Sequence, residues 1–302
     1  MRESRGFGTV ALTGVALILA LRATDAAAWG QEGHSIVAEI AQHRLTSQAT
    51  GAVAALLGPN VSLASIASWA DNQRSVHPET TNWHFVDIPL EQTNYDAAAV
   101  CAPDPEKGDC VVRELERLRT QMRCAAGADA QRDALRYAVH FVGDLHQPLH
   151  TVADQRGGNQ LAVHGVMHGS TCRSHCELGA DAANLHVVWD STLIRRTVWD
   201  WGSYVTRLED GLLASDEFRD GTAAAGSVAD WAVQTHAAAR AVWNVQLLGA
   251  DGEIGDAYYA QVLPVLDRQL ALAGVRLAAF LNASLAPGAC PAAESAAARV
   301  SH

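Results

Sequence analysis

The stretch RYAVHFVGDLHQPLH, residues 136–150, decides the fold class. Leu135 just ahead of it, Val139 and Val142 recur at helical spacing, so the segment from Arg132 onward reads as an amphipathic helix until Pro148 interferes. Residues four apart are neighbours on one helical face, which sets the imidazole of His140 beside the carboxylate of Asp144. His150 follows just past the proline that ends or bends this helix. One such pair is weak evidence by itself, because buried His–Asp hydrogen bonds on helices are ordinary.

The arrangement repeats. NLHVVWD, residues 184–190, pairs His186 with Asp190 at the same spacing, SWAD supplies Asp71, and NWHFVD supplies His84 and Asp87. Neutral imidazoles and carboxylates are ligands that a zinc ion accepts. Helical spacing also runs through HSIVAEIAQHRL near the start, through Ser227 to Leu247, and from about Asp256 to Leu285, where Pro264 is a candidate bend. Only NQLAVHGVM, after Gly157 and Gly158, reads as a strand or short β-hairpin. With no internal repeat and no linker long enough to divide it, the chain reads as one mainly α domain over 29–286, with a frayed Ala/Ser/Pro tail over 287–302.

The first 28 residues read as an export signal. Arg2 and Arg5 precede the apolar run VALTGVALILAL, and Ala26, Ala27 and Ala28 supply the small residues that a signal peptidase recognises. Cleavage after Ala28 makes Trp29 the mature N-terminus, in a protein exported to the periplasm or secreted. The apolar run is too short to span a bilayer and no later segment is long enough, so membrane insertion is not expected.

The formal net charge of −11 argues against a broad basic surface for wrapping duplex DNA. It does not exclude a nucleic-acid substrate, because bound metal ions reverse the sign locally. Six cysteines, all beyond residue 28, favour disulfides in an exported chain, with fifteen connectivities open. Cys101–Cys110 and Cys172–Cys176 are plausible local loops, and HGVMHGSTCRSHC (164–176) reads as an oxidised loop rather than a separate zinc site.

Trp29 followed by His34, WAD with Arg74 three residues on, WHFVDIP, HFVGDLHQPLH, GGN and NLHVVWD stand in an order that resembles the zinc-dependent single-strand nucleases and 3′-nucleotidases of the S-one/P-one type. The resemblance implies the helical fold shared by these enzymes and the zinc phospholipases C. It also implies three zinc ions. Asp71, His84, His140 and Asp144 would hold the first. Trp29, through its free α-amino nitrogen and carbonyl oxygen, would hold the second with His34 and the bridging Asp144. His150, His186 and Asp190 would hold the third. The implied reaction cuts single-stranded DNA and RNA to 5′-mononucleotides and removes phosphate from 3′-nucleotides. In it a zinc-bridged hydroxide attacks phosphorus, the third zinc stabilises the leaving 3′ oxygen, and Arg74 binds phosphate oxygens.

Phe85 would stack a base, Asp87 would accept hydrogen bonds from its edge, and Asn159 is a further substrate contact. Arg156 stands before Gly-Gly where some members of the family place an apolar residue, which leaves the base preference open. A monomer with no stable protein partner is expected. His146 reads as a hydrogen-bonding support of the site. Trp69, Trp83 and Trp189 read as packing beside proposed ligands, and His43, His77, His164, His168, His175, His236 and His302 as surface or loop residues.

Two other readings stay open at this point. A zinc phospholipase C shares the metal layout, although its final ligand is often Glu in bacterial enzymes and here is Asp190, and the Trp-Gly start, SWAD and HFVD resemble the nuclease branch. A non-catalytic exported zinc-binding protein would need neither Arg74 nor Phe85.

Overall fold

The computed structural model describes residues 29–179, 182–243, 248–249, 251–288 and 290. The export signal, most of the expected tail, and His302 lie outside them. Among the described residues the fold is mainly helical. In chain order the helices are α1 (Gln31–Gln42), α2 (Ser47–Leu57), α3 (Trp69–Gln73), α4 (Ala97–Val100), α5 (Val111–Cys124) and α6 (Ala128–Leu145). They continue with α7 (Leu185–Val187), α8 (Leu193–Thr197), α9 (Trp201–Asp210), α10 (Asp216–Arg219), α11 (Val228–Val242) and α12 (Asp256–Ser284), with short 3-10 turns between several of them.

Packing follows the apolar stripes. In α1 the residues Ile36, Val37, Ile40 and Ala41 are fully buried, and they meet α12 where Gly274 lets the two helices close up. A Cβ at Gly274 would stand 2.3 Å from Cγ2 of Ile40. The helix α12 runs through Pro264 as one element of 29 residues, not the two pieces that a proline break would give. Its second half, from Gln269 to Leu281, is buried almost all round, and tertiary packing there offsets the cost of the missing N–H.

Helices α5 and α6 form a hairpin whose turn ends at Gly127, with φ +89°. From Ala134 on, α6 is largely buried, and its last two turns carry His140 and Asp144 into the middle of the molecule. α6 ends at Leu145, and Gln147 then caps a 3-10 turn, Pro148–Thr151, through a bond to the amide of Leu149. The proline thus ends the helix and starts the next turn, as expected of a residue without an N–H and with a fixed φ.

The expected hairpin after Gly158 is reduced to isolated bridges, Ala162 with Asn184, His164 with Glu253 and Val166 with Glu177. Gly165, with φ +132°, packs against the backbone of Ile254 and breaks the regular alternation that a strand needs. All six cysteines are paired: Cys101–Cys110, Cys172–Cys176 and, closing a span of 166 residues, Cys124–Cys290. The last pair anchors the start of the sequence-expected tail to the end of α5. No helix among the described residues is long and apolar enough to cross a membrane.

Candidate metal centre and substrate cavity

Three clusters of histidine and aspartate gather between α1, α3, α6 and the α7 segment: His34 with Asp71 and His140, His84 with His140 and Asp144, and His150 with His186 and Asp190. Asp144 joins the first two groups. Its Oδ1 faces Nε2 of His34 at 3.3 Å, while Oδ2 faces Nδ1 of His84 at 2.9 Å and Nε2 of His140 at 3.2 Å. Asp71, at the centre of short α3, brings Oδ1 to 3.5 Å from His140 and 3.8 Å from His84. The ring of His34 stacks on that of His140 at 3.9 Å.

That stacking needs a glycine. A Cβ at Gly143 would lie 2.9 Å from Nδ1 of His34, so the side chain can reach the α6 face only because position 143 has none. Trp29 is fully buried next to this contact, and the amide of Gly30 donates to the carbonyl of Asp190 at 2.7 Å. The start of the described chain is thereby fixed between the joined clusters and the third.

The third cluster sits on a widened turn. Asn184 caps α7, and residues Val188–Thr192 form a single π-helical turn that changes the offset of Asp190 from His186. Nε2 of His186 lies 3.1 Å from Nε2 of His150 and 3.6 Å from Oδ2 of Asp190. Each of three histidines spends its other ring nitrogen on a backbone carbonyl. His140 bonds to Ala67 at 2.7 Å, His150 to His84 at 2.8 Å and His186 to Gly157 at 2.6 Å. The bond at Nδ1 fixes the ring orientation and aims Nε2 into the cluster.

The electrostatics ask for a cation. Burial pushes His34 down, His84 to about 4 and His186 to about 3, with His150 adding to the effect on His186. Burial would lower His140 too, but the carboxylates of Asp144 and Asp71 overrule it and raise this ring. Burial opposes ionisation of Asp71, yet His140 holds it down at about 2. At Asp190 burial prevails and raises the carboxyl well above the usual carboxylate range despite the N–H of Gln147. Buried atoms with no hydrogen-bond partner include both ring nitrogens of His34, Nε2 of His84, Oδ1 of Asp71 and Oδ1 of Asp144. Burial without a partner is costly for each of them. Imidazole nitrogens and carboxylate oxygens, with every cysteine oxidised, form the donor set that suits zinc, so the residues present fit that metal.

A cavity of about 260 Å³ opens beside the clusters and is lined by Arg74, Phe85, Asp87, Arg156 and Asn159 together with His84, His150 and His186. Its wall comes from an extended segment strapped to the 3-10 turn that carries His150. The amide of Val86 donates to the carbonyl of His150 at 2.9 Å, and the amide of Ala153 to that of Ile88 at 3.1 Å. Extended backbone alternates its side chains. His84, Val86 and Ile88 are therefore buried, while Phe85 and Asp87 face the cavity. Asp87 is open to solvent at the rim, yet the surrounding protein displaces enough water to raise its carboxyl to about 6, with Arg156 pulling the other way. The far wall is the turn from Gln155 to Gly158, four residues in succession with positive φ. At Gly157 a Cβ would meet the carbonyl of Leu149 at 2.4 Å, so this position must be glycine for the turn to reach His186.

The structure thus brings all nine proposed metal ligands and four proposed substrate contacts into one region. Trp69 and Trp83 pack edge-on against Tyr137, and Trp189 donates to the hydroxyl of Tyr258 at 2.8 Å. His146 makes no bond to a proposed ligand: its ring bonds to the carbonyl of Val142 and to Arg276. His236, expected at the surface, is 2 % exposed and bonds to the carbonyl of Thr151 at 2.7 Å, behind the turn that holds His150. It lies on the buried face of amphipathic α11, and the helical pattern there was the available signal. Gln147 was also missed. Fully buried, it donates to Oδ1 of Asp190 at 2.7 Å.

Residues 29–286 match the family model described as S1/P1 Nuclease. The chain is 31% identical over 276 residues to Endonuclease 2 of Arabidopsis thaliana, covering 84% of this chain and 89% of that protein. It is 30% identical over 270 residues to Nuclease P1 of Penicillium citrinum, covering 84% and 97%, and 25% identical over 277 residues to Nuclease S1 of Aspergillus oryzae, covering 84% and 91%.

Proposed function

The chain belongs to the S1/P1 nuclease family, whose members hydrolyse phosphodiester bonds of nucleic acids, and we propose that it cuts single-stranded DNA and RNA to 5′-mononucleotides and removes phosphate from 3′-nucleotides. The observation that carries this reading is the divided carboxylate of Asp144, one oxygen toward His34 and the other toward His84 and His140, next to a third cluster and a cavity.

In this reading Asp71, His84, His140 and Asp144 hold one zinc. Trp29, His34 and Asp144 hold its neighbour, and His150, His186 and Asp190 hold the third. Zinc at these positions supplies Lewis acidity, lowering the pKa of water and offsetting charge on phosphate oxygens. Trp29 contributes its α-amino nitrogen and its carbonyl oxygen, so removal of the leader after Ala28 completes the ligand set. The freed amine has a pKa near ~8 and loses its proton readily to a metal. Export through that leader agrees with a chain whose cysteines are all paired.

The reaction is an in-line displacement by water at phosphorus, in which the bond to the 3′ oxygen breaks, that oxygen leaves as a 3′-hydroxyl, and the phosphate stays on the 5′ oxygen of the following nucleotide. Arg74 binds phosphate oxygens as their charge rises. Phe85 stacks a base, Asp87 accepts from its edge, and Asn159 on the opposite wall is a further substrate contact. A base must leave its stack to enter this cavity beside the clusters, which supports a preference for single strands without any reading of sequence.

The test is release of acid-soluble nucleotides from single-stranded DNA by zinc-loaded protein that begins at Trp29. Rapid release that is lost when one extra residue precedes Trp29 supports both the activity and the N-terminal ligand. No release from protein that holds three zincs would sink the nuclease reading.

A further inference from the structure

A second cavity, about 470 Å³, lies away from the clusters between α10, the 222–226 segment, α11 and α12. Arg268, Leu272 and Arg276 follow one another at four-residue spacing on the face of α12 that lines it. Arg276, 3 % exposed, forms its floor.

The guanidinium of Arg276 donates through Nε to the carbonyl of Ala223 at 3.0 Å, through Nη1 to Nε2 of His146 at 3.0 Å, and through Nη2 to Oε1 of Gln234. All three acceptors are neutral. His146 donates its Nδ1–H to the carbonyl of Val142, so its Nε2 carries a lone pair and accepts from Arg276. Burial, then Arg268, lowers Arg276 to about 10, and the carboxylate of Glu217 opposes them only in part, so Arg276 stays a cation at neutral pH. Both carboxylates on the cavity wall are already engaged, Glu217 by the fork of Arg268 and Asp230 by the amide and hydroxyl of Ser227. Among the described residues no carboxylate forms an ion pair with Arg276. A charge buried in this way is costly unless a counter-ion reaches it.

The guanidinium has five N–H groups and three are used, which leaves one on each Nη. We propose that this cavity binds a phosphate group, free or at the end of a small phosphomonoester, with Arg276 as its floor and Arg268 at its rim. Phosphate carries close to two negative charges at neutral pH and accepts a guanidinium fork in bidentate fashion. The remaining wall, with Ala223 and Leu272, is apolar enough to take a small organic group. The site is separate from the nuclease cavity and does not rest on the nuclease reading.

The experiment is calorimetric titration of the zinc-loaded protein with inorganic phosphate and, separately, with 5′-AMP. Arg74→Ala weakens phosphate binding beside the clusters, so the remote site is read in that background. Arg276→Gln removes the charge. Gln234→Glu is the second variant, because it keeps the hydrogen bond and supplies an internal counter-ion, so the fold is retained. Binding of either probe in the Arg74→Ala background, weakened at least ten-fold by Gln234→Glu, is the expected result. Tighter binding of 5′-AMP at this site would assign a phosphomonoester, and equal or weaker binding free phosphate. Binding of neither probe, or binding unchanged by Gln234→Glu and Arg276→Gln, overturns the proposal.

Discussion

Gln147 donates its side-chain N–H to Oδ1 of Asp190 at 2.7 Å, joining the turn after α6 to the third cluster between two buried side chains. The same side chain accepts from the amide of Leu149 at 2.5 Å, so one residue fixes both the turn that carries His150 and the carboxylate opposite it. Gln147→Ala is expected to weaken the third zinc equivalent by about 10–100-fold while leaving the other two in place. Zinc titration monitored by elemental analysis checks this, and equal loss of all three would show a general folding defect instead.

Asp144 divides its two carboxylate oxygens between His34 and the His84–His140 pair. Asp144→Ala should cost two of the three zincs and nearly all nuclease activity, because neither joined site keeps its shared ligand. Zinc content measured on folded protein decides it. Retention of three zincs would refute the bridging assignment.

Phe85 projects into the cavity from a segment whose alternate residues are buried. Phe85→Ala should raise KM in line with a loss of roughly 1–3 kcal/mol of base stacking, with the zinc content unchanged. An unchanged KM would count against stacking at this position.

Asp87 carries a pH dependence of its own. Its carboxyl, raised to about 6 by partial desolvation, is ionised at neutral pH and takes up a proton as the pH falls through that value. A protonated carboxyl is a poorer acceptor, so kcat/KM should fall below about pH 6 in the native protein, and this inflection should be absent in Asp87→Asn. The linkage sign follows from the folded pKa lying above the unfolded one. The folded state is penalised above about pH 6, and the penalty fades toward the unfolded pKa near ~4. Asp87→Asn should therefore raise Tm at pH 7 to 8, and the advantage should close in acid.

The disulfide Cys124–Cys290 closes a span of 166 residues and anchors the chain just after α12 to the end of α5. Replacing both cysteines by serine should cost about 2–5 kcal/mol in denaturant unfolding, since so long a loop constrains the unfolded chain strongly. A loss as small as that from removing Cys172–Cys176, a span of only 4, would contradict this ranking.

Local periodicity made much of this legible in the chain. The buried stripe of α1, the helix that carries His140 and Asp144, its end before Pro148 and the pairing of His186 with Asp190 depend on residues within two turns of each other. The spacing of apolar, Pro, His and Asp residues encodes such relations directly. The hairpin after Gly158 failed as an expectation because Gly165 must meet Ile254, a contact between residues far apart in the chain.

The sequence by itself determined a helical chain with candidate ligands in a set order and a set of oxidisable cysteines. Tertiary structure alone decided that Asp144 turns its two oxygens to different partners, that Gly143 makes room for His34, that Cys124 meets Cys290, and that Gln147 and His236 stand behind the ligands. The physical reason is range. Backbone periodicity is fixed by neighbours three or four residues away, whereas a contact such as His84 to Asp144, 60 residues apart, exists only once the helices have packed and water has left the space between them.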